Sequence, residues 1–137
     1  MHMDEKDFKY SGITEKIIGC AMRVHSFFGS GFPEIVYKRS LVIELKKSGL
    51  RYETEVEKEI YYQETFIGKR RLDLIVEDKV LIELKAISEV GKRDYNQVIN
   101  YLTIFDFEIG LLLNFGMDSL QFKRFANSKR NSGKSIR

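Results

Sequence analysis

Three ionisable side chains interrupt two otherwise apolar stretches of this sequence. Asp73 lies within Leu72–Val76, and Glu83 and Lys85 end the apolar run that starts at Val80. Strands this apolar are buried on at least one face, where a charge is unfavourable unless it is paired or bound to a metal. The three ionisable residues therefore need a chemical explanation.

The chemistry that fits these residue types is metal-assisted hydrolysis of a phosphodiester. Two carboxylates on one face of a sheet repel each other when both are ionised, and a divalent cation relieves that repulsion. The carboxylates of Asp73 and Glu83 and the backbone carbonyl of Leu84 would offer Mg²⁺ or Mn²⁺ an all-oxygen ligand set. Lys85 would orient the attacking water and stabilise charge in the transition state. The bare spacing leaves a plain ion pair across strands equally open.

The small number of histidines and cysteines also favours a metal held by carboxylates. The chain has one cysteine and two histidines, which excludes a cysteine zinc cluster and an internal disulfide. Cys20 stands among apolar residues and is predicted to be a buried structural thiol.

The parity of the two strands makes the metal hypothesis testable. Side chains alternate along a strand, so Glu83 and Lys85 share a face. In an antiparallel hairpin, Asp73 shares that face only if it pairs with Glu83, which requires a three-residue loop over 77–79. A two-residue turn would place the carboxylates on opposite faces.

Periodicity and breakers predict eight elements in the order ααβββαββ, an α/β fold with a mixed sheet flanked by helices. Ser11 is predicted to cap the first helix, and Pro33 to occupy the first position of the second. The predicted helices are 11–28, 33–48 and 92–104, and the predicted strands are 52–62, 66–76, 80–86, 107–115 and 120–125, with the last at an edge.

Two further polar residues are candidates for the same site. Glu34 stands at the start of the second helix, where an acid interacts favourably with the helix dipole or reaches a metal directly or through water. Gln97 lies in the third helix and is either an exposed polar residue or a group that orients water or phosphate. His25 is predicted to pack near a loop, and Tyr37 to pack or to form a hydrogen bond that helps to orient Glu34.

Several ordered motifs resemble one known family. The chain from about 13 to 125 is similar to the GxxExxY proteins, which are placed in the PD-(D/E)XK nuclease superfamily. The motifs that carry this resemblance are Gly31–Tyr37 with Val24-His25 before it, Leu74–Val80, Ile82–Ala86, Gln97 with Asn100–Leu102, and Gly110–Gly116.

The resemblance implies a restriction-endonuclease-like core and a shared set of active-site positions. Those positions correspond to Glu34, Asp73, Glu83, Lys85 and Gln97. The chain departs from the family pattern at Asp94, where a histidine is common, at Leu72, where a small residue is common, and in a short stretch between 62 and 71. Asp94 argues against a histidine-assisted step.

The distribution of charge predicts a nucleic-acid partner, DNA before RNA. Residues 123–137 contain six basic side chains and no acid, although the net charge of the whole chain is only +3. This basic end either contacts phosphates or solubilises the chain. The residues predicted to contact phosphates within the domain are Lys69, Arg70, Arg71, Lys92 and Arg93. The alternative for Lys69–Arg71 is a solvated strand end.

The organisation predicted from these features is one nuclease-like domain at 11–126 between a flexible N-terminus, 1–10, and a basic flexible tail, 127–137. No apolar run is long enough for a membrane helix and no secretory signal is evident, so a cytoplasmic location is the default expectation. A homodimer is permitted by an exposed edge strand. The competing functions are a non-catalytic binding module that retains the fold and a metal-binding component of a larger complex.

Overall fold

A computed structural model describes residues 9–127. Its elements, in chain order, are helices α1 (Ser11–Phe28) and α2 (Glu34–Lys47), strands β1 (Tyr52–Tyr62), β2 (Thr65–Val76) and β3 (Val80–Lys85), helix α3 (Lys92–Ile104), and strands β4 (Ile109–Asn114) and β5 (Gln121–Ala126). The predicted order of helices and strands is confirmed, as is the mixed α/β fold.

The five strands form one sheet in the order β1-β2-β3-β4-β5. Neighbouring strands are antiparallel except β3 and β4, which are parallel and are joined through α3. Helices α1 and α2 pack on one face and α3 on the other, so the central strands are covered on both faces. Every residue of β4 is buried, which explains its continuous apolar run. Strand β5 lies at an edge, as predicted.

The hairpin between β2 and β3 has the register that the metal hypothesis requires. Leu74 pairs with Ile82 and Val76 pairs with Val80, leaving a three-residue loop. Leu74, Val76, Val80 and Ile82 contribute to the core beneath α1 and α2, whereas Ile75 and Leu81 face α3. The odd loop length therefore places Asp73 and Glu83 on the same face, as predicted.

A close approach between α3 and β4 fixes the position of the helix. A Cβ atom on Gly110 would lie 3.0 Å from Cδ2 of Leu102 and 3.1 Å from Cγ1 of Val98. Val98 and Leu102 form the buried stripe of α3, whereas the neighbouring Ile99 is exposed. Glycine at 110 thus lets the helix lie close to the strand.

Some element boundaries were wrong. Tyr10, with φ of 58°, precedes the first helical residue Ser11 and no side chain caps that helix, because the serine lies one position too far along. Pro33 lies just before α2 instead of at its first position. Thr65 belongs to β2 instead of the preceding turn, and β4 is shorter at both ends than predicted because its flanking phenylalanines leave the ladder.

The aromatic residues at the end of the β1–β2 hairpin are open to solvent. Tyr61, Tyr62 and Phe66 are 40%, 65% and 49% exposed. The rings of Tyr61 and Phe66 contact each other edge to face, with their centres 5.9 Å apart. The β2–β3 pairing spans only Leu74–Val76, so this end of the hairpin extends beyond the rest of the sheet.

Part of the predicted organisation lies outside the described residues. That part comprises 1–8 of the predicted flexible N-terminus and 128–137 of the predicted tail. Lys123 and Arg124, counted with the basic end of the chain, belong to β5, and Lys123 Nζ lies 4.5 Å from the centre of the Tyr95 ring. Across 9–127, no helix is both long and apolar enough to cross a membrane.

Candidate active site

Asp73 occupies the position at which the β2–β3 ladder ends. The next residues, Leu74 and Ile82, are the last backbone pair. Beyond them the backbone amide of Leu84 donates a hydrogen bond to Oδ2 of Asp73 at 3.0 Å. The aspartate side chain therefore takes the place of a strand carbonyl, and this holds its carboxylate against β3.

Glu83 lies beside Asp73 and is almost fully buried, with 8% of its surface exposed. Burial raises the pKa of the Glu83 carboxyl to about 9, together with the hydrogen bond to Asp73 and the negative charge of that residue. The positive charge of Lys85 opposes the increase only in part. At neutral pH, without a cation, the two carboxyl groups therefore share a proton.

Glu34 brings a third carboxylate towards this pair from the first turn of α2. Partial desolvation raises the pKa of Glu34, and so does the negative charge of Asp73, whereas Lys85 and Lys38 lower it. The residue is nevertheless open to solvent. Asp73, Glu34 and Lys85 thus share one electrostatic site, with Glu34 on its solvent side.

Tyr37 fixes the loop that leads into Glu34. Its hydroxyl donates to the carbonyl of Gly29 at 2.6 Å and accepts from the amide of Phe32 at 3.2 Å. Its ring stacks on Phe115, with the ring centres 4.8 Å apart. The predicted packing and hydrogen-bonding role of Tyr37 is confirmed, and it acts on the loop instead of on the glutamate itself.

Lys85 connects β3 to α3. Its Nζ donates to Oε1 of Gln97 at 3.3 Å and lies 3.8 Å from Oδ1 of Asp94. Gln97 in turn donates through Nε2 to the hydroxyl of Tyr101 at 3.1 Å. Asp94 also accepts from the amide of Gly91 and so caps the helix. Gln97 is therefore a partner of the lysine.

Asn114 and Gly116 hold the segment that follows Lys85. Asn114, fully buried, accepts through Oδ1 from the amides of Ile87 and Gly116 and donates through Nδ2 to the carbonyl of Ile87. His25 is buried and its Nε2 lies 2.8 Å from the carbonyl of Met117, which confirms that it packs near a loop. These motif residues shape the site without facing it.

The comparison with family models matches residues 11–125 to the PD-(D/E)XK nuclease superfamily. The chain belongs to this superfamily. Among solved structures, "Crystal structure of SSO0001" resembles the chain with a TM-score of 0.53 and 24% identity, over 89% of this chain and 61% of that one. At that identity the likeness shows the fold alone. The chain thus spans less than two thirds of that relative, and no curated protein matches it.

Nucleases of the PD-(D/E)XK superfamily generally use divalent metals, and the donors here fit such an ion. Asp73 and Glu83 supply only oxygen, the ligand type that hard cations prefer. Adjacent carboxyl groups, of which the buried Glu83 keeps its proton, are also a set that a divalent cation would stabilise in place of that proton. Within 9–127 no three His, Cys, Asp or Glu side chains stand close enough to hold an ion together, so Glu34 lies outside direct reach of a common ion with the pair.

A groove next to Gln97 gathers some of the basic residues that the sequence predicted to contact phosphates. It has a volume of about 480 Å³, and its lining consists of Arg70, Lys92, Arg93, Asn96, Gln97, Asn100 and Tyr101. Lys69 and Arg71 point to the other face of β2 because side chains alternate along a strand. Lys69 lies 4.0 Å from Glu57 there. The predicted basic set is therefore split between two faces.

Sequence reasoning missed two residues near the site, Lys38 and Glu55. Lys38 is buried in α2, one turn after Glu34, and its Nζ lies 3.5 Å from Oε1 of Glu55. The lysine has the ordinary appearance of a helix surface residue in the sequence. Its only available signal was the four-residue spacing from Glu34. Cys20 is buried, as predicted.

Proposed function

We propose that this protein is a Mg²⁺-dependent nuclease, active also with Mn²⁺, that hydrolyses phosphodiester bonds in DNA, and that within its superfamily it is a GxxExxY protein. The observation that carries the proposal is the proximity of Asp73, Glu83 and Lys85 on one face of the β2–β3 hairpin. Asp73 and the Glu83-Leu84-Lys85 segment also fit the pattern after which the superfamily is named.

The metal ligands we propose are Asp73, Glu83 and the backbone carbonyl of Leu84. The amide and carbonyl of one strand residue point to the same edge. Because the Leu84 amide points to Asp73, its carbonyl points to that side too. The carbonyl of Lys85 points the other way, where it accepts from the amide of Phe115. Glu34, exposed and beyond direct reach, would act through a water.

The bound metal would lower the pKa of a coordinated water and polarise the phosphodiester. The remaining steps belong to the chain's own residues. Lys85 donates hydrogen bonds and would orient the water and stabilise charge on the phosphoryl oxygens. Gln97 holds the lysine and, through Tyr101, is itself held. Asp94 stands where the family commonly has a histidine, so the proposal includes no histidine-assisted step.

The groove beside Gln97 supports a nucleic-acid substrate. Arg70, Lys92 and Arg93 bring three positive charges to one side of the site, and such groups bind phosphates without reading sequence. Of the five predicted phosphate contacts, these three fit the geometry. Lys69 and Arg71 lie on the opposite face and would bind only a nucleic acid that wraps the hairpin.

Cleavage assays test this function directly. Single-stranded DNA, double-stranded DNA and RNA are incubated with Mg²⁺, with Mn²⁺ or with EDTA, for the wild type and for Asp73→Ala and Lys85→Ala. We expect metal-dependent cutting by the wild type, none by Asp73→Ala, and cutting slowed by about a hundredfold or more in Lys85→Ala. No cutting by any form, with DNA binding indifferent to metal, would instead support the non-catalytic binding module. Light scattering of the same samples tests the homodimer.

A further inference from the structure

Within residues 9–127, the buried ammonium of Lys38 has one ion-pair partner, the exposed Glu55. The side chain of Lys38 is 11% exposed and that of Glu55 51%, with 3.5 Å between Nζ and Oε1. A charge as buried as this one is stable only when it is paired. The lysine therefore depends on a carboxylate near it at all times.

Glu55 holds an unusual backbone conformation directly opposite Asp73. Its φ is 50°, a left-handed value that is unfavourable for a glutamate. The β1–β2 register has Thr54 paired with Leu74 and Val56 with Leu72, so Glu55 and Asp73 face each other at an interruption of the ladder. This strained turn of the chain directs the Glu55 side chain towards Lys38 on α2.

The second carboxylate within reach of Lys38 is Glu34. The two residues are four positions apart on one helix and therefore share a face. Lys38 already lowers the pKa of Glu34 through its charge. If Glu55 lost its negative charge, the ammonium would pair with Glu34 and place a positive charge at the solvent side of the proposed metal site.

We propose that Glu55 is a positioning residue, which holds Lys38 away from Glu34 so that this carboxylate stays available to the divalent cation. The inference rests on the proposed function, because it concerns the same metal. Glu55 itself does not touch the cation. It acts through Lys38, because the position of the Lys38 ammonium decides whether Glu34 is paired with it.

The experiment measures Mn²⁺ affinity by calorimetric titration without nucleic acid, for the wild type, Glu55→Gln, Lys38→Met and the double variant. Glu55→Gln should bind Mn²⁺ about tenfold more weakly, since the freed ammonium repels the cation. Lys38→Met should bind at least as tightly as the wild type. The double variant should match Lys38→Met, because without the ammonium the loss of Glu55 has no effect.

Glu57→Gln is the matched control. Glu57 lies two residues further along β1 on the same face and pairs with Lys69, away from the site, so this variant should bind Mn²⁺ as the wild type does. Melting temperatures are recorded for every variant. If Glu55→Gln does not fold, Lys38→Met and the double variant still decide, because neither contains a buried ammonium and their affinities should be equal.

The outcomes separate this inference from the proposed function. Wild-type affinity in Glu55→Gln, or a double variant as weak as Glu55→Gln, would overturn the positioning role while leaving a metal site lost in Asp73→Ala intact. If the wild type binds no Mn²⁺, or binds it no more tightly than Asp73→Ala does, both the proposed function and the positioning role would be overturned. If Lys38 and Glu55 formed a purely structural ion pair, both single variants would have lower melting temperatures, and the double variant would not recover Mn²⁺ affinity relative to Glu55→Gln.

Discussion

The Nζ atom of Lys85 lies between two acceptors on α3, Oε1 of Gln97 at 3.3 Å and Oδ1 of Asp94 at 3.8 Å. The two differ in charge and both are held, Gln97 by Tyr101 and Asp94 by the amide of Gly91, but of the two only the glutamine lies within hydrogen-bond distance of the ammonium. Gln97 therefore sets where the ammonium lies, and Asp94 supplies a counter-charge that also caps the helix.

This geometry predicts unequal effects of two substitutions on cleavage. Lys85→Ala should lower kcat by about 10²- to 10³-fold, as expected when a donor to the transition state is removed. Gln97→Ala should lower kcat by about tenfold, because the lysine remains but is less well oriented. Gln97→Ala should bind Mn²⁺ as the wild type does and Lys85→Ala at least as tightly, since neither removes a proposed ligand and the ammonium of Lys85 repels a cation.

Thr103→Ala is the control for these two variants. Thr103 lies on the same helix, and its hydroxyl bonds only to the carbonyl of Ile99, so its loss should leave kcat unchanged. A Gln97→Ala enzyme with wild-type kcat would show that the contact to Lys85 plays no part in the reaction.

The protonation of Glu83 predicts how stability depends on pH. Because the pKa of Glu83 is about 9 in the folded chain and 4.5 without the fold, the folded state holds a proton that the unfolded state releases between those values. The free energy of unfolding without metal should therefore fall as pH rises through this window. The slope is at most about 1.4 kcal/mol per pH unit.

Urea unfolding in EDTA at several pH values between 5 and 9 measures this dependence. Glu83→Gln cannot ionise, so its stability should exceed that of the wild type at pH 8 and should vary less with pH. Equal slopes for the two proteins would contradict a proton shared between Glu83 and Asp73.

The register of the β2–β3 hairpin could be predicted from the sequence, whereas the ion pair between Lys38 and Glu55 could not. The physical reasons differ. The alternation of side chains along a strand depends on number alone, so the requirement that Asp73 share a face with Glu83 fixed the loop length. The same alternation would have separated Arg70 from Lys69 and Arg71. The left-handed backbone of Glu55 leaves no mark in the sequence, because glutamate has no preference for that conformation. The contact of Lys38 with Glu55 was therefore beyond sequence reasoning.

The split of the basic residues predicts unequal effects on DNA binding. Arg70→Ala should weaken DNA binding about three- to tenfold in EDTA, where no cutting occurs, because Arg70 lines the groove beside Gln97. The slope of log affinity against log salt should fall by about one, the change expected for one lost phosphate contact.

Arg71→Ala is the matched control, since it removes the same charge from the next residue of β2, on the opposite face. It should change affinity by less than the Arg70 variant does at every salt concentration. Equal losses would show that binding follows net charge instead of the groove, and fluorescence anisotropy with labelled DNA measures both.

Gly116 predicts how far the site depends on the segment after Lys85. A Cβ atom at this position would overlap the backbone of Ile87, whose amide and carbonyl are both bonded to Asn114. Gly116→Ala should therefore destabilise the protein by several kcal/mol, because a backbone clash cannot be relieved by a rotamer change.

Gly12→Ala is the control: Gly12 lies in α1 with no atom within 4 Å of the added Cβ, so alanine there should be neutral or stabilise by up to about 1 kcal/mol. Thermal unfolding measures both variants, and equal melting temperatures for Gly116→Ala and the wild type would show that the segment adapts and that its contact with Gly116 does not hold Lys85 in place.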